Sequence, residues 1–501
     1  MGAIVHRDRM VIISMNNVKK FFSNRLTMFA IISIVLLALS FFYNRTVFPY
    51  DSKYYWNIAD PVFENQIDIL SFPETFRGCL FPILVGIIKR AVYRLGFDSY
   101  WGWRILISGM IAAILVYAFP IILKKDTAHI GWTTYLTNAV FILIFSIFWG
   151  DFIQYPLSDL PACFFMLMGI AALIWVKDKS KYVHKIVYGI IAGALLYTAY
   201  NVRVAFLYGV LIVIIVFCAY ILIQKTYKNF LVVISLIIGI LLAATPQMMI
   251  NHQYIGSWSP KVYTEQNTGY QVSAQSFQVF EGLRRLRYET YFGDKTDYPI
   301  APIAFDDPIG QKIIEIEGIT LEEFSYGTVF KLFIKYPLDI GGIYIRHLIS
   351  LMTPIFATAY IKDMYAGKGI LISLAIFTWM VAAIDILFHN ERKFDSITLW
   401  MLIAMVFPSL LQMAGMPEIR FFLMVHLLLY YYISNIIDYK KLYQNIKRRW
   451  LPIAIVCTVI YFMWISNVGM ILSYNEIKVL IINDKHYECI SEMEETNSSP
   501  Y

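Results

Sequence analysis

Runs of 18 or more residues without a single charged side chain recur along this 501-residue chain. About 20 apolar residues in a helix cross the hydrocarbon core of a bilayer, so the repetition leaves one architecture, an all-α polytopic membrane protein. Composition agrees: 58% of residues are hydrophobic and 15% are charged, against roughly 25% charged in soluble chains. Apolar length places spans near 26–43, 105–123, 131–149, 160–176, 186–202, 204–223, 230–250, 369–388, 397–416, 421–437 and 451–472. That makes roughly 11 transmembrane helices, within a range of 11–13.

Basic residues then orient the spans. Lys19, Lys20 and Arg25, Lys124–Lys125, Lys177 to Lys185, Lys225 and Lys228, Arg392–Lys393 and the Lys440–Arg449 cluster fall at every second boundary. Cytoplasmic loops carry such excess, which predicts an N-terminus inside and a tail outside. The first span has no small-residue cleavage site and reads as a retained signal-anchor. An Ile/Lys/Asn-rich chain of this kind fits a bacterial inner membrane. The net charge of +7 is spread over loops and forms no polynucleotide track, so nucleic acid is not an expected partner.

The division expected is 1–250, an N-terminal transmembrane module with a first outer loop at 44–104; 251–368, a second outer loop with a small helical lid or platform; 369–472, further spans; and 473–501, an outer tail. In the first loop, "RGCLFPILVGIIKRAVYRLGF" has too few apolar residues before Lys89 to cross, and reads as an amphipathic interfacial helix. In the second, "GGIYIRHLISLMTPIFATAY" carries Arg346 and His347 and reads as interfacial or re-entrant, because a crossing at 343–361 would break the charge alternation. "FEGLRRLRYETYFGDK" places Arg284 and Arg287 at i,i+3 on one helical face, either facing an anionic acceptor or simply solvated. Asp306–Asp307 and Glu322–Glu323 look like ordinary solvated charges. Cys163, Cys218 and Cys457 lie in apolar runs as packing residues, whereas Cys79 and Cys489 could meet outside the membrane. No CxxC, HExxH or paired-His spacing is present.

With this topology, acids and arginines from distant segments gather at one membrane face. Asp51 follows the first span in "YDSKYYWNIA", beside Tyr54, Tyr55 and Trp56. Asp151 and Asp159 lie in "WGDFIQYPLSDLPACFF", and Arg77, Arg104, Arg203 and Arg420 lie at span ends or in loops of the same face. Such clustering near lipid is a functional signal. Each residue also has a plain reading: a solvated loop acid, an arginine reaching for the interface, an interfacial aromatic anchor, or, for Asp159, a helix-start acid favoured by the dipole.

The order and spacing of these stretches resemble the GT-C superfamily of membrane glycosyltransferases, which includes protein O-mannosyltransferases and aminoarabinose transferases. The match rests on "YDSKYYWNIA", "FRGCLFPILVGI" ending in "YRLGF", "WRILISGM", "YPLSDLPACFF", "MINHQYIGSW" and "PEIRFFLMVHLLLYY". It covers about the first 180 residues well and the rest thinly. Ser52 stands where relatives often carry a second acid, Gly78–Cys79 where they often carry Pro-Pro, and Phe421–Phe422 after Arg420 where Tyr is usual.

What the resemblance implies is transfer of a sugar from a polyprenyl-phosphate donor to an acceptor hydroxyl on the outer side, with inversion. Asp51 would be the base and Asp159 would orient the acceptor. Arg77, Arg203 and Arg420 would hold the donor phosphate, for which a guanidinium fork is well shaped. Tyr54, Tyr55, Asp151 and Arg104 would line the sugar or acceptor site. No cofactor is required; if a divalent cation such as Mg or Mn takes part, Asp51 and Asp159 would bind it. An exposed Asp, with a pKa of about 3.9, is a weak base, so positioning must supply most of the effect. The acceptor class, whether glycan, lipid or protein, stays open. The other readings are a polysaccharide polymerase or ligase relying on loop arginines, and a lipid-linked glycan transporter or flippase. The latter expects charge at the bilayer midplane, where this chain has little beyond Asp385.

Overall fold

A computed structural model describes residues 22–43, 47–64, 70, 72, 77–123, 131–178, 181–223, 227–263, 274–290, 302–321, 324–356, 359–361, 368–388, 396–473, 478–480 and 487–489. It is an all-α polytopic membrane protein. Among the described residues, ten helices are long and apolar enough to cross a bilayer. They are α4 (Ser99–Ile122), α5 (Trp132–Ile153), α6 (Asp159–Val176), α7 (Tyr182–Val202), α8 (Val204–Ile223), α9 (Phe230–Ile255), α14 (Gly369–Phe388), α15 (Ser396–Ala414), α16 (Ile419–Ile436) and α18 (Trp450–Val468). The expected spans agree with these to within a few residues. The first expected span is a shorter apolar helix, α1 (Arg25–Ser40), capped by the Asn24 side chain and packed through Met28, Ile32 and Leu36.

Close approach of α7 and α9 organises the bundle. Gly189 and Gly193 stand four residues apart on α7, and α9 answers with Ser235 and Gly239. An added Cβ would lie 2.1 Å from Ser235 Oγ at Gly189, 2.1 Å from Leu236 O at Gly193, and 2.0 Å from Ile190 O at Gly239. In lipid, helices gain little from hiding apolar surface and associate through such backbone contact.

At one end of the bundle two further layers are built. The first-loop stretch forms α2 (Tyr50–Ile58) and α3 (Leu80–Arg94). Buried Lys89 ties them, with Nζ 2.5 Å from Asp60 and 3.0 Å from Trp56 O. The long segment after α9 forms α10 (Ala274–Arg284), α11 (Pro308–Glu317), α12 (Tyr326–Lys335) and α13 (Pro337–Met352) around Phe280, Leu283, Ile313, Phe324, Leu332, Ile340 and Ile343. The helix α13 has 16 residues, is not among the ten long spans, and ends where Thr353 turns extended.

A small antiparallel sheet in the order β1-β2-β3-β4 was not foreseen: β1 is Arg285–Thr290, β2 Pro302–Asp306, β3 Lys478–Leu480 and β4 Tyr487–Cys489. It overturns the shared helical face for Arg284 and Arg287. The helix stops at Arg284, and Arg285–Thr290 continue as strand β1, with a register shift between Arg285 and Arg287. Nor are these charges solvated. Arg287 is 1% exposed, holds Glu289 at 2.6 Å and donates to Ser350 O and Thr353 O. Asp306 pairs with Arg285. Asp307 is fully buried, capping α11 through Ile309 N and Gly310 N while holding Arg346 at 2.7 Å. These pairs let polar sequence be buried within the long segment, and sequence alone could not supply the partners. Glu322–Glu323 lie outside the described residues.

Cys79 is a free, buried thiol at the start of α3, and Cys163, Cys218 and Cys457 are also free. Near the opposite end, Asp385 is buried and accepts from Tyr432 Oη at 2.6 Å, and the strongly basic helix α17 (Tyr439–Arg448) precedes α18.

The α7–α9 contact makes a sharp test. Gly193→Val should lower the thermal unfolding midpoint of the detergent-solubilised protein by several degrees, as overpacking costs about 1–3 kcal/mol. Gly109→Ala, whose added Cβ meets only Phe29 Cζ at 3.9 Å, should leave the midpoint unchanged or raise it.

Candidate functional site

Tyr50 opens α2 with φ of 44°, a left-handed conformation that non-glycine residues rarely adopt. The next residue is Asp51, and its two carboxylate oxygens go to two different arginines. Oδ1 lies 2.7 Å from Arg77 Nη2, and Oδ2 lies 2.9 Å from Arg420 Nη1. Arg77 stands before α3 and Arg420 in the first turn of α16, so one carboxylate joins segments 369 residues apart. Tyr360, from the long segment, accepts the Ser52 N–H at 3.3 Å and stacks on Tyr50.

The second acid is Asp159, the first residue of α6 and 2% exposed. Arg203 reaches it at 2.6 Å from the extended residue that ends α7. Both Asp159 oxygens are nevertheless without an aligned hydrogen-bond donor among the described residues. Phe421 sits between the two pairs, its ring centroid 4.6 Å from Arg203 Cζ and 5.7 Å from Arg420 Cζ. On the other side, Arg77 Cζ lies 5.1 Å from the Tyr54 ring and 4.8 Å from the Tyr55 ring. Asp51, Arg77, Arg203, Arg420, Asp159, Tyr54 and Tyr55 therefore form one group, as their places in the sequence led us to expect.

Two expected members, Arg104 and Asp151, are buried. Arg104 is buried in α4 with its guanidinium 4.7 Å from the Trp101 ring. Asp151 is buried in the last turn of α5, where Gly150 lies against Tyr43. Trp56 packs with Phe48 and stacks on Tyr100, with Lys89 Nζ 4.4 Å from its ring.

Sequence reasoning missed Glu418. It is 6% exposed, and its carboxylate contacts Arg420 Nε, so Arg420 is shared between Asp51 and Glu418. Strand β1 fixes it from the other side: Tyr288 bridges to Glu418 and donates its N–H to Pro417 O at 2.9 Å. A chain of buried amides was also missed. The Gln247 carbonyl accepts from Cys79 N at 3.1 Å and Asn201 Nδ2 at 3.0 Å, and the Asn201 carbonyl accepts from Leu80 N at 2.8 Å. Gln247 then donates to Asn251, which donates to Ser259 O and Lys261 O. This chain seats the start of α3 against α7 and α9. Gly78 is needed there, since a Cβ would lie 1.9 Å from Asn201 O, and Arg77 is placed as a result.

The electrostatics separate the acids. Burial alone would raise the Asp51 pKa, but the Arg77 and Arg420 guanidiniums more than reverse it and hold the carboxyl well below the usual carboxylate range. Glu418 behaves oppositely: burial pushes it up to about 7, only partly offset by Arg420, with Asp159 and Asp51 adding to the rise. The cluster thus holds carboxylates on both sides of the ordinary range, a pattern common at functional sites.

No protein-family model, curated protein or solved structure matches the chain.

The raised Glu418 value fixes a sign. Between the ordinary Glu pKa and about 7, the folded state binds more protons at Glu418 than the unfolded state does. Its contribution to stability is full below the ordinary value and is lost as pH rises through about 7. Thermal midpoints at pH 5 and pH 8 should show this loss in the wild type, and the loss should shrink in Glu418→Gln.

Proposed function

We propose that this chain is a membrane glycosyltransferase of the GT-C type, moving a sugar from a polyprenyl-phosphate donor to an acceptor hydroxyl. The observation that carries this reading is the convergence of Arg77, Arg203 and Arg420 with Asp51 and Asp159 at one end of the bundle. Guanidiniums that grip carboxylates in the free protein present the geometry that grips a lipid phosphate. The basic helix α17 lies at the far side of α16 from Arg420, and basic residues mark the cytoplasmic side. In this reading the Asp51 group faces outward, in a bacterial inner membrane.

The chemistry follows from the pairing. Held by two guanidiniums, Asp51 is a poor proton acceptor. A donor phosphate that takes Arg420 frees one Asp51 oxygen and restores its basicity. The carboxylate then accepts the acceptor hydroxyl's proton as that oxygen attacks the anomeric carbon and the C–O bond to the phosphate breaks. The phosphate leaves with the bonding electrons, stabilised by the arginines. Asp159, held by Arg203 through Oδ1, would orient a hydroxyl, and Tyr54 and Tyr55 offer faces for a sugar.

A divalent cation bound by Asp51 and Asp159 fits less well. Each Asp51 oxygen is already engaged by a guanidinium, and no cluster of three His, Cys, Asp or Glu lies among the described residues. The polymerase or ligase reading has less support, because Arg284 is engaged by Glu281 and Arg287 is buried in its own pair.

Transfer from a radiolabelled polyprenyl-phosphate sugar pool in membranes tests the proposal. Asp51→Asn, at matched expression, should lower transfer by about a hundredfold or more. Unchanged transfer would remove Asp51 from the chemistry.

A further inference from the structure

Arg420 serves two carboxylates, and they do not depend on it equally. Asp51 has a second guanidinium from Arg77 at 2.7 Å. Glu418 is paired with Arg420 alone among the described residues. The other groups acting on Glu418 do not stabilise its charge. Asp51 from α2 and Asp159 from α6 both repel it, and its charge in turn helps raise the pKa of the Tyr288 phenol on β1. Glu418 is 6% exposed, and its backbone is fixed by the Tyr288 bridge and by the Tyr288 N–H to Pro417 O bond.

An anion arriving at Arg420 competes for the cation on which Glu418 relies. A buried carboxylate that loses its only partner, with another negative charge alongside, is strongly disfavoured and neutralises instead. Resting on the phosphate-binding reading above, we infer that Glu418 takes up a proton when a phosphate group occupies Arg420, so that the site admits its anion together with a proton. The balance is simple: one proton from solvent joins the Glu418 carboxylate, one monoanionic phosphodiester joins Arg420, and no covalent bond of the ligand changes. Asp51 keeps Arg77, stays ionised and is free to act. Glu418 is thus a positioning residue for charge, and its resting value near 7 makes the uptake accessible at ordinary pH.

The consequence has a definite sign. Below about pH 7, Glu418 already carries its proton and affinity for the anion is flat. Above it, binding must draw the proton from solvent, and affinity falls by about tenfold per pH unit.

The test is titration calorimetry of the full chain in dodecyl maltoside with farnesyl methyl phosphodiester, whose own charge is constant from pH 6 to 9. Comparing buffers of different ionisation enthalpy at pH 8 counts the protons. The wild type should take up about one proton per phosphodiester, with affinity declining above pH 7. Glu418→Gln should bind with no uptake and with affinity independent of pH. Wild-type binding without uptake, or unaltered uptake in Glu418→Gln, would overturn the inference. If Glu418→Gln does not fold, the wild-type proton count and pH slope alone decide. Absence of any wild-type binding at pH 6 would instead remove the phosphate reading, and the inference with it.

Discussion

Asp51 divides its two oxygens between guanidiniums that arrive from opposite ends of the chain, and the site end of this protein is arranged around that division. One carboxylate fixes the approach to α3 through Arg77 and the start of α16 through Arg420. Removing either arginine leaves the other holding the acid; removing the acid leaves Arg420 with Glu418 and takes from Arg77 the carboxylate it holds. The left-handed Tyr50 beside it costs on the order of 1–3 kcal/mol, a strain maintained by the Tyr360 contacts above it.

The supporting structure is polar where lipid-facing proteins are usually apolar. The Asn201–Gln247–Asn251 chain joins three segments that the sequence separates widely, and its amides satisfy backbone N–H groups at the start of α3. Buried donors and acceptors left unpaired are costly, so the chain specifies one register for α3 rather than several. Above it, the Arg285, Arg287 and Arg346 pairs bring β1 onto Glu418. The long segment is thereby a fixed part of the site wall.

The sequence made the membrane architecture legible because a span announces itself by length and lack of charge, and both are local properties. It also singled out Asp51, Asp159, Arg77, Arg203 and Arg420, since charge at the ends of spans needs a reason. What it could not convey was pairing. Asp151 and Arg104 look the same in sequence as Asp159 and Arg203, yet Arg104 is buried against Trp101 and Asp151 is buried at the end of α5. Glu418 had a signal, an acid two residues before Arg420 in "MPEIRFF", but its weight comes from burial and from sharing Arg420. The alternation in "RLRYET" was the local sign of a strand, masked by the i,i+3 spacing of Arg284 and Arg287.

Asp51 and Arg420 hold each other at 2.9 Å. A double-mutant cycle of Asp51→Asn and Arg420→Gln, read by reversible denaturation in mixed micelles, tests it without reference to any substrate. A coupling of about 0.5–3 kcal/mol between the two changes is expected, the range for residues in direct contact. Strictly additive effects would contradict it.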